Sequence, residues 1–364
     1  SSKYAAARSA QKTWAATPLK ERIACLQRFR ALVADRMEPL AKTLTSEMGK
    51  PIRQARNELN GLLPRIDFFC DSVAGSIQHE ALATEGETHE WITHEPLGVI
   101  ANISAWNYPY FVGGNVFVPA LLTGNAVLYK PSEFATLTGL AIGALLHQAG
   151  VPQDVFQTLV GKGAVGALLL EQPIDGVFFT GSYATGKRIA EALAGRMLKL
   201  QLELGGKDPS YVCDDVNIDA AAASTADGAF YNAGQSCCSV ERIYVHSKIY
   251  NDFVDAFLHE VENFVVGDPM DEKTYIGPLT RAAQLNVLEQ QVADAKAKGA
   301  RVLHGGKRIP GPGNFFAPTV LANVNHSMEV MREESFGPII GIQKVKDDDE
   351  ALTLMNDSNY GLTA

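Results

Sequence analysis

Short apolar runs alternate with helix-like stretches between residues 97 and 204, and this alternation limits the fold more than any other feature of the sequence. The apolar runs lie at residues 99–103, 126–129, 155–160, 177–179 and 198–204. Between them, stretches such as residues 137–148 and 164–171 are long enough for helices. A β-α-β-α rhythm of this kind predicts a parallel, doubly wound, Rossmann-like sheet. A second alternating α/β region begins near residue 208.

The composition fits a chain of two domains. It has 364 residues, and domains usually contain about 100–200. The first 75 or so residues are predicted to be helical, and the polar residues 78–95 suit an exposed hairpin. A net charge of −9 disfavours a nucleic-acid partner. No apolar run approaches the ~18 residues of a membrane span. Five cysteines without a Cys-x-x-Cys pair disfavour a zinc site and favour a reducing cytoplasm.

Two glycine-rich turns follow predicted strands. Residues 161–166 spell G-x-G-x-x-G, but the next strand does not end in the acid that a dinucleotide fingerprint requires. Residues 181–187 nearly match a phosphate-binding P-loop, yet Arg188 replaces the hydroxyl that coordinates Mg²⁺, which disfavours an ATPase. Each turn opens a helix, where free amides attract phosphate. A tight turn at the first position and an ordinary N-cap at Ser182 are the alternatives.

Polar residues follow several of the predicted strands. Glu203 ends the alternating run 198–204 and is either a general base or a solvated strand end. Asn107 is either a donor to an oxyanion or part of a turn before a proline. Lys130 and Glu133 either bind sugar hydroxyls or are simply exposed. Ligands of open α/β sheets bind beyond the carboxyl ends of the strands.

A loop of small residues, 231–239, carries adjacent cysteines at Cys237 and Cys238. A cysteine without bulky neighbours is either a nucleophile or a structural residue. Adjacent cysteines rarely form a disulfide with each other, because the bond would strain the backbone.

Taken in order, these segments resemble the aldehyde dehydrogenase superfamily from about Trp14 to Ala364. The blocks that carry the resemblance are PLGVI (96–100), AWNYP (105–109), GNAVLYKPSE (124–133), FFTGSYATGK (178–187), LELGGKDP (202–209), NAGQSCCSVER (232–242), IGPL (276–279), FFAPTVL (315–321) and EESFGP (333–338). The ELGGK and GQ-x-C blocks are highly specific. Cys237 follows Glu203 by 34 residues, the separation usual in the family.

The resemblance implies oxidation of an aldehyde to a carboxylic acid. It makes Cys237 the nucleophile that forms a thiohemiacetal and then a thioester, Glu203 the base that activates water, and Asn107 the oxyanion donor. It also implies a dinucleotide site. The cofactor residues are Ile103, Ala105, Trp106, Lys130, Glu133, Gly163, Gly181, Ser182, Gly186, Leu204, Glu334 and Phe336. The carboxylate of Glu133 would repel a 2′-phosphate, so NAD is favoured and NADP is the alternative.

Substrate contacts are expected from residues on the segment after Asn107 and from the second cysteine. These residues are Tyr108, Phe111, Val112, Asn115 and Cys238. The sequence departs from the family at Ala105, at Val116 and at Asn115, where many members have an arginine or tryptophan. The apolar wall favours an uncharged aldehyde and weakens the case for succinate semialdehyde. A CoA-acylating enzyme and a non-catalytic member of the fold are the rival interpretations.

The resemblance also assigns domains and an assembly. Residues 1–77 and 96–205 form the NAD-binding domain, and residues 78–95 form an oligomerisation hairpin. Residues 206–364 form a catalytic domain that is shortened at its C-terminus relative to the family. A cytoplasmic homodimer or homotetramer without a metal, a membrane or a nucleic-acid partner is the expectation.

Overall fold

The computed structural model describes residues 2–364, except for the side chains of residues 84 and 85. The helices are α1 Ser2–Ala16, α2 Leu19–Asp35, α3 Met37–Met48, α4 Ile52–Ser76, α5 Pro109–Leu122, α6 Thr136–Gln148, α7 Gly163–Leu170, α8 Tyr183–Leu193, α9 Ile218–Phe230, α10 Tyr250–Glu262, α11 Ala282–Ala297, α12 Glu329–Arg332 and α13 Asp348–Asn356. The strands are β1 Glu80–Glu85, β2 Thr88–Ile92, β3 Val99–Ile103, β4 Ala126–Lys130, β5 Phe156–Thr158, β6 Gly176–Thr180, β7 Lys199–Glu203, β8 Pro209–Val212, β9 Arg242–His246, β10 Arg301–His304, β11 Thr319–Ala322 and β12 Ile339–Val345.

The chain divides into two compact units. The first unit contains Ser1–Glu47 and Ala55–Leu204, and the second contains Met48–Gln54 and Gly205–Ala364. The short segment Met48–Gln54 therefore belongs with residues far from it in sequence. Its backbone is tied there by a hydrogen bond from the Ile52 amide to the Pro269 carbonyl, 2.8 Å long.

The first unit is built on a five-stranded parallel sheet in the order β5-β4-β3-β6-β7. The inner strands β3 and β4 are buried at every residue, whereas the edge strand β7 alternates between exposed and half-buried residues. A strand covered on both faces is apolar throughout, while one with a solvated face alternates. The predicted doubly wound sheet is confirmed, and its strands lie within a few residues of the predicted runs.

Residues 80–92 form the antiparallel hairpin β1–β2, as the polar stretch predicted. Leu82 and Trp91 on this hairpin are each 60% exposed. An isolated two-stranded hairpin is at best marginally stable in water. The hairpin alone therefore does not bury the apolar side chains of Leu82 and Trp91.

The second unit contains a five-stranded sheet in the order β10-β11-β12-β9-β8, parallel except for the pair β10–β11. Its core combines the central strands with α9, α10 and α11. The fully buried members include Ile243, Ile340, Phe253 and Leu288. This second α/β region also confirms the predicted fold class.

Candidate functional site

The carboxyl edge of the first sheet gathers the polar strand ends that the sequence singled out. Because β3, β4, β6 and β7 are parallel, the residues that follow them lie along one edge. The Gly181 amide donates a 3.0 Å hydrogen bond to the Glu203 carbonyl, and the Ser104 amide donates one of 3.1 Å to the Lys130 carbonyl. The side chain of Glu203 is exposed and accepts a 3.3 Å bond from Gln201 Nε2.

Asn107 lies just before α5 and is only 4% exposed. The first turn of α5 is held by Glu58 of α4, a buried residue whose Oε1 accepts bonds from the amides of Tyr110 (2.9 Å) and Phe111 (3.3 Å). The first amides of a helix have no partner within the helix, and its N-terminus favours negative charge. Glu58 therefore fixes the backbone that follows Asn107. Asn107 itself lies in the bend of residues 106–108, and α5 begins two residues later at Pro109.

The predicted sugar contacts, Lys130 and Glu133, differ in their surroundings. Lys130 is 5% exposed, and its Nζ donates a 3.1 Å bond to the Pro131 carbonyl and lies 4.0 Å from Glu133 Oε2. Burial lowers the pKa of Lys130. Glu133 is exposed, so its carboxylate is free to meet solvent or a ligand. Nearby, Ile103 is buried, and the half-buried Trp106 packs edge-on against Phe134.

The two glycine-rich turns have different packing. A Cβ on Gly181 would lie 2.6 Å from the Phe179 ring, and one on Gly186 would lie 2.4 Å from a methyl group of Leu204. Gly163, the first residue of α7, has no heavy atom within 4 Å of such a position. Ser182 is the N-cap of α8 but forms no side-chain cap bond. The second turn is therefore closely packed beneath a helix N-terminus. The Ser182 carbonyl accepts bonds from the amides of Thr185 and Gly186, whereas its hydroxyl caps no amide.

The loop before Cys237 is held in an unusual conformation. Asn232 and Ala233 have positive φ angles of 55° and 54°, which non-glycine residues rarely adopt. The Asn232 amide donates to Gln54 Oε1 at 2.9 Å, and the Asn232 side chain donates to the Gln235 carbonyl at 3.1 Å. Backbone strain of this kind persists only where the surroundings over-determine it. The second unit thus holds the approach to Cys237 rigidly.

The two thiols of the loop lie next to each other without a disulfide. Cys237 is half-buried and Cys238 exposed, and their Sγ atoms are 3.7 Å apart. The hydrogen bond with Cys238, together with burial, raises the pKa of Cys237. These surroundings favour the protonated thiol of Cys237 over the thiolate.

Residues 334–336 approach the cysteine loop within the second unit, and glycines make this approach feasible. A Cβ on Gly205 would lie 2.4 Å from Glu334 Oε1, and one on Gly206 would lie 3.0 Å from the Cys237 carbonyl. The Gly206 amide donates a 3.1 Å bond to Glu334 Oε1. Burial, reinforced by the charge of Glu241, raises the pKa of Glu334 to about 7. Glu334 and the backbone of Cys237 therefore both lie close to the adjacent glycines Gly205 and Gly206.

The predicted substrate residues of the first unit lie at the start of α5. Tyr108, Phe111 and Val112 are half-buried, and Asn115 is exposed. The guanidinium of Arg65 lies 5.0 Å from the centre of the Phe111 ring. These residues offer mainly apolar and aromatic surface. The remaining predicted contact, Cys238, belongs to the second unit.

Sequence reasoning missed three residues that hold these segments in place. Glu58 has no motif around it, and Lys207 and Glu241 stand inside matched blocks but were given no role. Lys207 Nζ lies 2.6 Å from Glu241 Oε2, and both side chains are almost completely buried. For Lys207 and Glu241 the only signal in the sequence was a charged residue close to the start of a strand, and Glu58 inside α4 had none.

Neither a metal cluster nor a membrane helix is found in the described part of the chain. No three His, Cys, Asp or Glu residues within 2–364 are grouped closely enough to hold a metal ion. None of the described helices combines the length and the apolar character that crossing a membrane requires.

Comparisons with known proteins agree with the sequence resemblance. The family model described as "Aldehyde dehydrogenase family" matches residues 1–364. A 3,6-anhydro-alpha-L-galactose dehydrogenase from Vibrio sp. (strain EJY3) is 38% identical, with 98% of this chain and 75% of the relative covered. A putative succinate-semialdehyde dehydrogenase [NADP(+)] 2 from Mycobacterium tuberculosis (strain H37Rv) is also 38% identical, over 99% of this chain and 70% of the relative.

The fold comparison reaches the same family. The crystal structure of betaine aldehyde dehydrogenase from Staphylococcus aureus in complex with NAD+ matches with a TM-score of 0.94 and 31% identity, and 99% of this chain and 73% of that one are covered. The match of the family model along the whole sequence and the extent of these alignments leave no other family to consider. The chain belongs to the aldehyde dehydrogenase family, the oxidoreductases that act on aldehydes with a nicotinamide cofactor.

Proposed function

We propose that this chain oxidises an uncharged aldehyde to its carboxylic acid with NAD, or alternatively NADP, through a covalent bond to Cys237. The observation that carries the proposal is the position of Cys237, which follows a rigid, strained loop and is not in a disulfide. Strained backbone clusters at functional sites. The family to which the chain belongs supplies the class of reaction.

The residues present fit a nicotinamide dinucleotide. The α8 N-terminus, where the Ser182 side chain caps no amide and the glycines are closely packed, would hold the pyrophosphate. Lys130 and Glu133 would bind the adenosine ribose, and Glu334 the nicotinamide ribose beside Phe336. When bound, the cofactor supplies the two-electron acceptor for the hydrogen of the aldehyde. The remaining predicted contacts, Ile103, Ala105, Trp106, Gly163 and Leu204, would shape this site.

Cys237 begins the reaction as a nucleophile. Its thiol gives its proton to solvent, the thiolate sulfur bonds to the carbonyl carbon of the aldehyde, and the π electrons of the carbonyl move to its oxygen. The carbonyl oxygen then carries negative charge, which the Asn107 side-chain amide and the Cys237 backbone N–H would stabilise. Because its surroundings raise the pKa of Cys237, the thiol loses its proton to solvent more readily as the pH rises.

Glu203 is proposed as the base that completes the cycle. Its carboxylate is exposed at the end of β7, where it can reach water. A water molecule that gives its proton to Glu203 attacks the acyl carbon, the carbon–sulfur bond breaks, and the acid leaves while the thiol is restored. A CoA-acylating enzyme would not need this base, which is why hydrolysis is preferred over thiol transfer.

The substrate is proposed to be an aldehyde without a charge of its own. Tyr108, Phe111 and Val112 provide a half-buried aromatic and apolar surface, and Cys238 adds a thiol next to the nucleophile. Asn115 offers no positive charge for a substrate carboxylate. The relative named as a putative succinate-semialdehyde dehydrogenase therefore supports aldehyde oxidation by this chain, but not a carboxylated substrate.

The assembly and compartment are also proposals. The exposed Leu82 and Trp91 on the hairpin support a homodimer or homotetramer that covers them. None of the five cysteines is in a disulfide, which supports a reducing, cytoplasmic setting. Residues 1–77 and 96–205 are proposed as the cofactor domain, residues 78–95 as the association hairpin and residues 206–364 as the catalytic domain.

The test of the proposed function is aldehyde-dependent formation of reduced cofactor by the wild type and by Cys237→Ala. A panel of aliphatic, aromatic, amino- and carboxy-aldehydes is assayed with NAD and with NADP, each with and without CoA. The wild type should turn over uncharged aldehydes without CoA, and Cys237→Ala should show only the background rate, because no covalent bond can form. Equal turnover by both proteins would refute the nucleophile assignment, and strict dependence on CoA would refute hydrolysis.

A further inference from the structure

We propose that Glu241 and Lys207 are a pair of positioning residues that hold the segment 334–336 in the conformation that binds the cofactor. This inference rests on the proposed function, in which Glu334 and Phe336 contact the nicotinamide half of the dinucleotide. Neither Glu241 nor Lys207 is assigned a contact with the cofactor or the substrate. They act through the backbone and side chains of the segment.

The carboxylate of Glu241 holds two successive backbone amides. Its Oε2 accepts a 3.0 Å bond from the Ser335 amide, and its Oε1 accepts a 3.0 Å bond from the Phe336 amide. Both oxygens of one side chain are therefore committed to one stretch of backbone. Hydrogen bonds to an ionised acceptor are about twice as strong as neutral ones.

Lys207 completes the arrangement from the other side. Its Nζ donates to Glu241 Oε2 at 2.6 Å and to Ser335 Oγ at 3.1 Å. The Lys207 side chain is 0% exposed and that of Glu241 is 4% exposed. Burying a carboxylate without a partner costs free energy. The ammonium group of Lys207 therefore allows the charged carboxylate of Glu241 to lie next to the segment 334–336. A buried ion pair of this kind contributes more to geometry than to net stability.

The segment needs such a support because its backbone is strained. Phe336 has a φ of 47°, in the left-handed region that a phenylalanine rarely adopts. Glu241 bonds to the amide of this residue and to the amide before it, and these two groups set the path of the chain through the left-handed turn. Without the carboxylate, the segment would relax to an ordinary conformation and carry Glu334 and Phe336 away from their present positions.

The pair also sets the electrostatic surroundings of Glu334. The charged groups around Glu334 are Glu241 and Asp208, which oppose its ionisation, and Lys207, which favours it; the titratable phenol of Tyr360 also lies near it. An ionised Glu334 is the form that accepts hydrogen bonds from ribose hydroxyls. Neutralising Glu241 removes a negative charge and should lower the pKa of Glu334. A residue that only stabilised the fold would not shift this titration.

The test compares Glu241→Gln with the wild type and with a matched control, Glu47→Gln. A glutamine offers one oxygen and a donor group, so it cannot accept both amide bonds and the lysine bond. Glu47 makes the same kind of contact elsewhere, accepting from the amides of Leu137 (2.6 Å) and Thr138 (2.8 Å) in the first unit. Binding of NAD and NADP is measured by titration calorimetry from pH 5.5 to 8.5, and amide hydrogen exchange is measured on the chain without cofactor.

The proposal predicts three changes in Glu241→Gln and none in Glu47→Gln. The plateau affinity for the dinucleotide at high pH falls about tenfold, the effect of losing one partner of a buried group. The midpoint of its pH dependence moves to lower pH, and the amides of Ser335 and Phe336 exchange faster. Unchanged affinity and midpoint would overturn the proposal, even with faster exchange, because the pair would then be purely structural.

A second variant keeps the test decisive if Glu241→Gln does not fold. Ser335→Ala removes only the hydroxyl that accepts from Lys207 and should weaken dinucleotide binding by about threefold. An unchanged affinity in this variant would count against the proposal. Failure of the wild type to bind NAD or NADP at all would instead refute the proposed function, so the two failures are distinguishable.

Discussion

Glu58 in the first unit and Glu241 in the second both bind backbone amides, but the segments that they bind differ in structure. Each is a buried carboxylate that accepts hydrogen bonds from two successive backbone amides of a distant segment. Glu58 bonds to the first turn of α5, where free amides and the helix dipole already favour an anion. Glu241 bonds to an irregular segment that contains a left-handed phenylalanine.

The difference shows two ways in which one side chain can serve a site. The helix α5 would form without Glu58, because its conformation is regular, and Glu58 only anchors its start beside Asn107. The segment 334–336 has no regular structure of its own, and its conformation depends on Glu241. Loss of Glu58 should therefore shift the start of a helix that forms without it. Loss of Glu241 should instead remove the conformation of segment 334–336.

The largest effect on stability is expected from Lys207→Met. This change leaves Glu241 as an unpaired charge in the core of the second unit and should lower the free energy of unfolding by about 3–5 kcal/mol. Urea denaturation of the purified chain measures the loss. Lys248→Met, which breaks the exposed pair between Lys248 and Asp214, is the control and should have no measurable effect. A loss as small as the control's would mean that the two kinds of pair do not differ.

A smaller effect is expected from Glu58→Ala. The amides of Tyr110 and Phe111 lose their acceptor, which should cost about 1–3 kcal/mol of stability. Since α5 begins next to Asn107, kcat should fall more than the affinity for the dinucleotide, the reverse of the result expected for Glu241→Gln. Steady-state kinetics and calorimetry on both variants provide the measurement. Equal losses of dinucleotide affinity in Glu58→Ala and Glu241→Gln would show that the two carboxylates do not differ in this way.

The effect expected to be smallest concerns the thiols. Cys238→Ala removes the hydrogen-bonded neighbour that raises the pKa of Cys237, so the pH midpoint for alkylation of Cys237 by iodoacetamide should move to lower pH. Cys70 in the first unit provides the contrast, because burial, together with the charges of Asp67 and Asp71 rather than a second thiol, raises its pKa to about 11. Its slow alkylation should not respond to the change. A Cys237 midpoint identical to that of the wild type would show that Cys238 has no influence on the nucleophile.

Much of the fold followed from local patterns in the sequence. The alternation of apolar runs predicted the strands of the first sheet. The polar stretch 78–95 predicted the hairpin, and the order of motifs predicted the family, which the comparisons confirm. The proposed roles of Cys237, Glu203 and Asn107 stay predictions until the variants are assayed.

The supports of the site could not be predicted in this way. Glu58 is 52 residues from Tyr110, and Glu241 is 94 residues from Ser335. Periodicity describes which face of an element is apolar, but it does not say which backbone amide a distant carboxylate will meet. The left-handed conformations of Ala233 and Phe336 were equally hidden, because alanine and phenylalanine rarely adopt that region.

The alternating runs and the spaced motifs were enough to establish a doubly wound α/β chain of the aldehyde dehydrogenase family, because apolar periodicity and motif order are local properties. The pairing of Lys207 with Glu241, the strained path through Phe336 and the approach of Glu334 to Gly205 were decided only in three dimensions. Their energies depend on burial and on partners far away in the sequence. A charge that would be solvated in an isolated segment becomes a fixed support once the surrounding core excludes water.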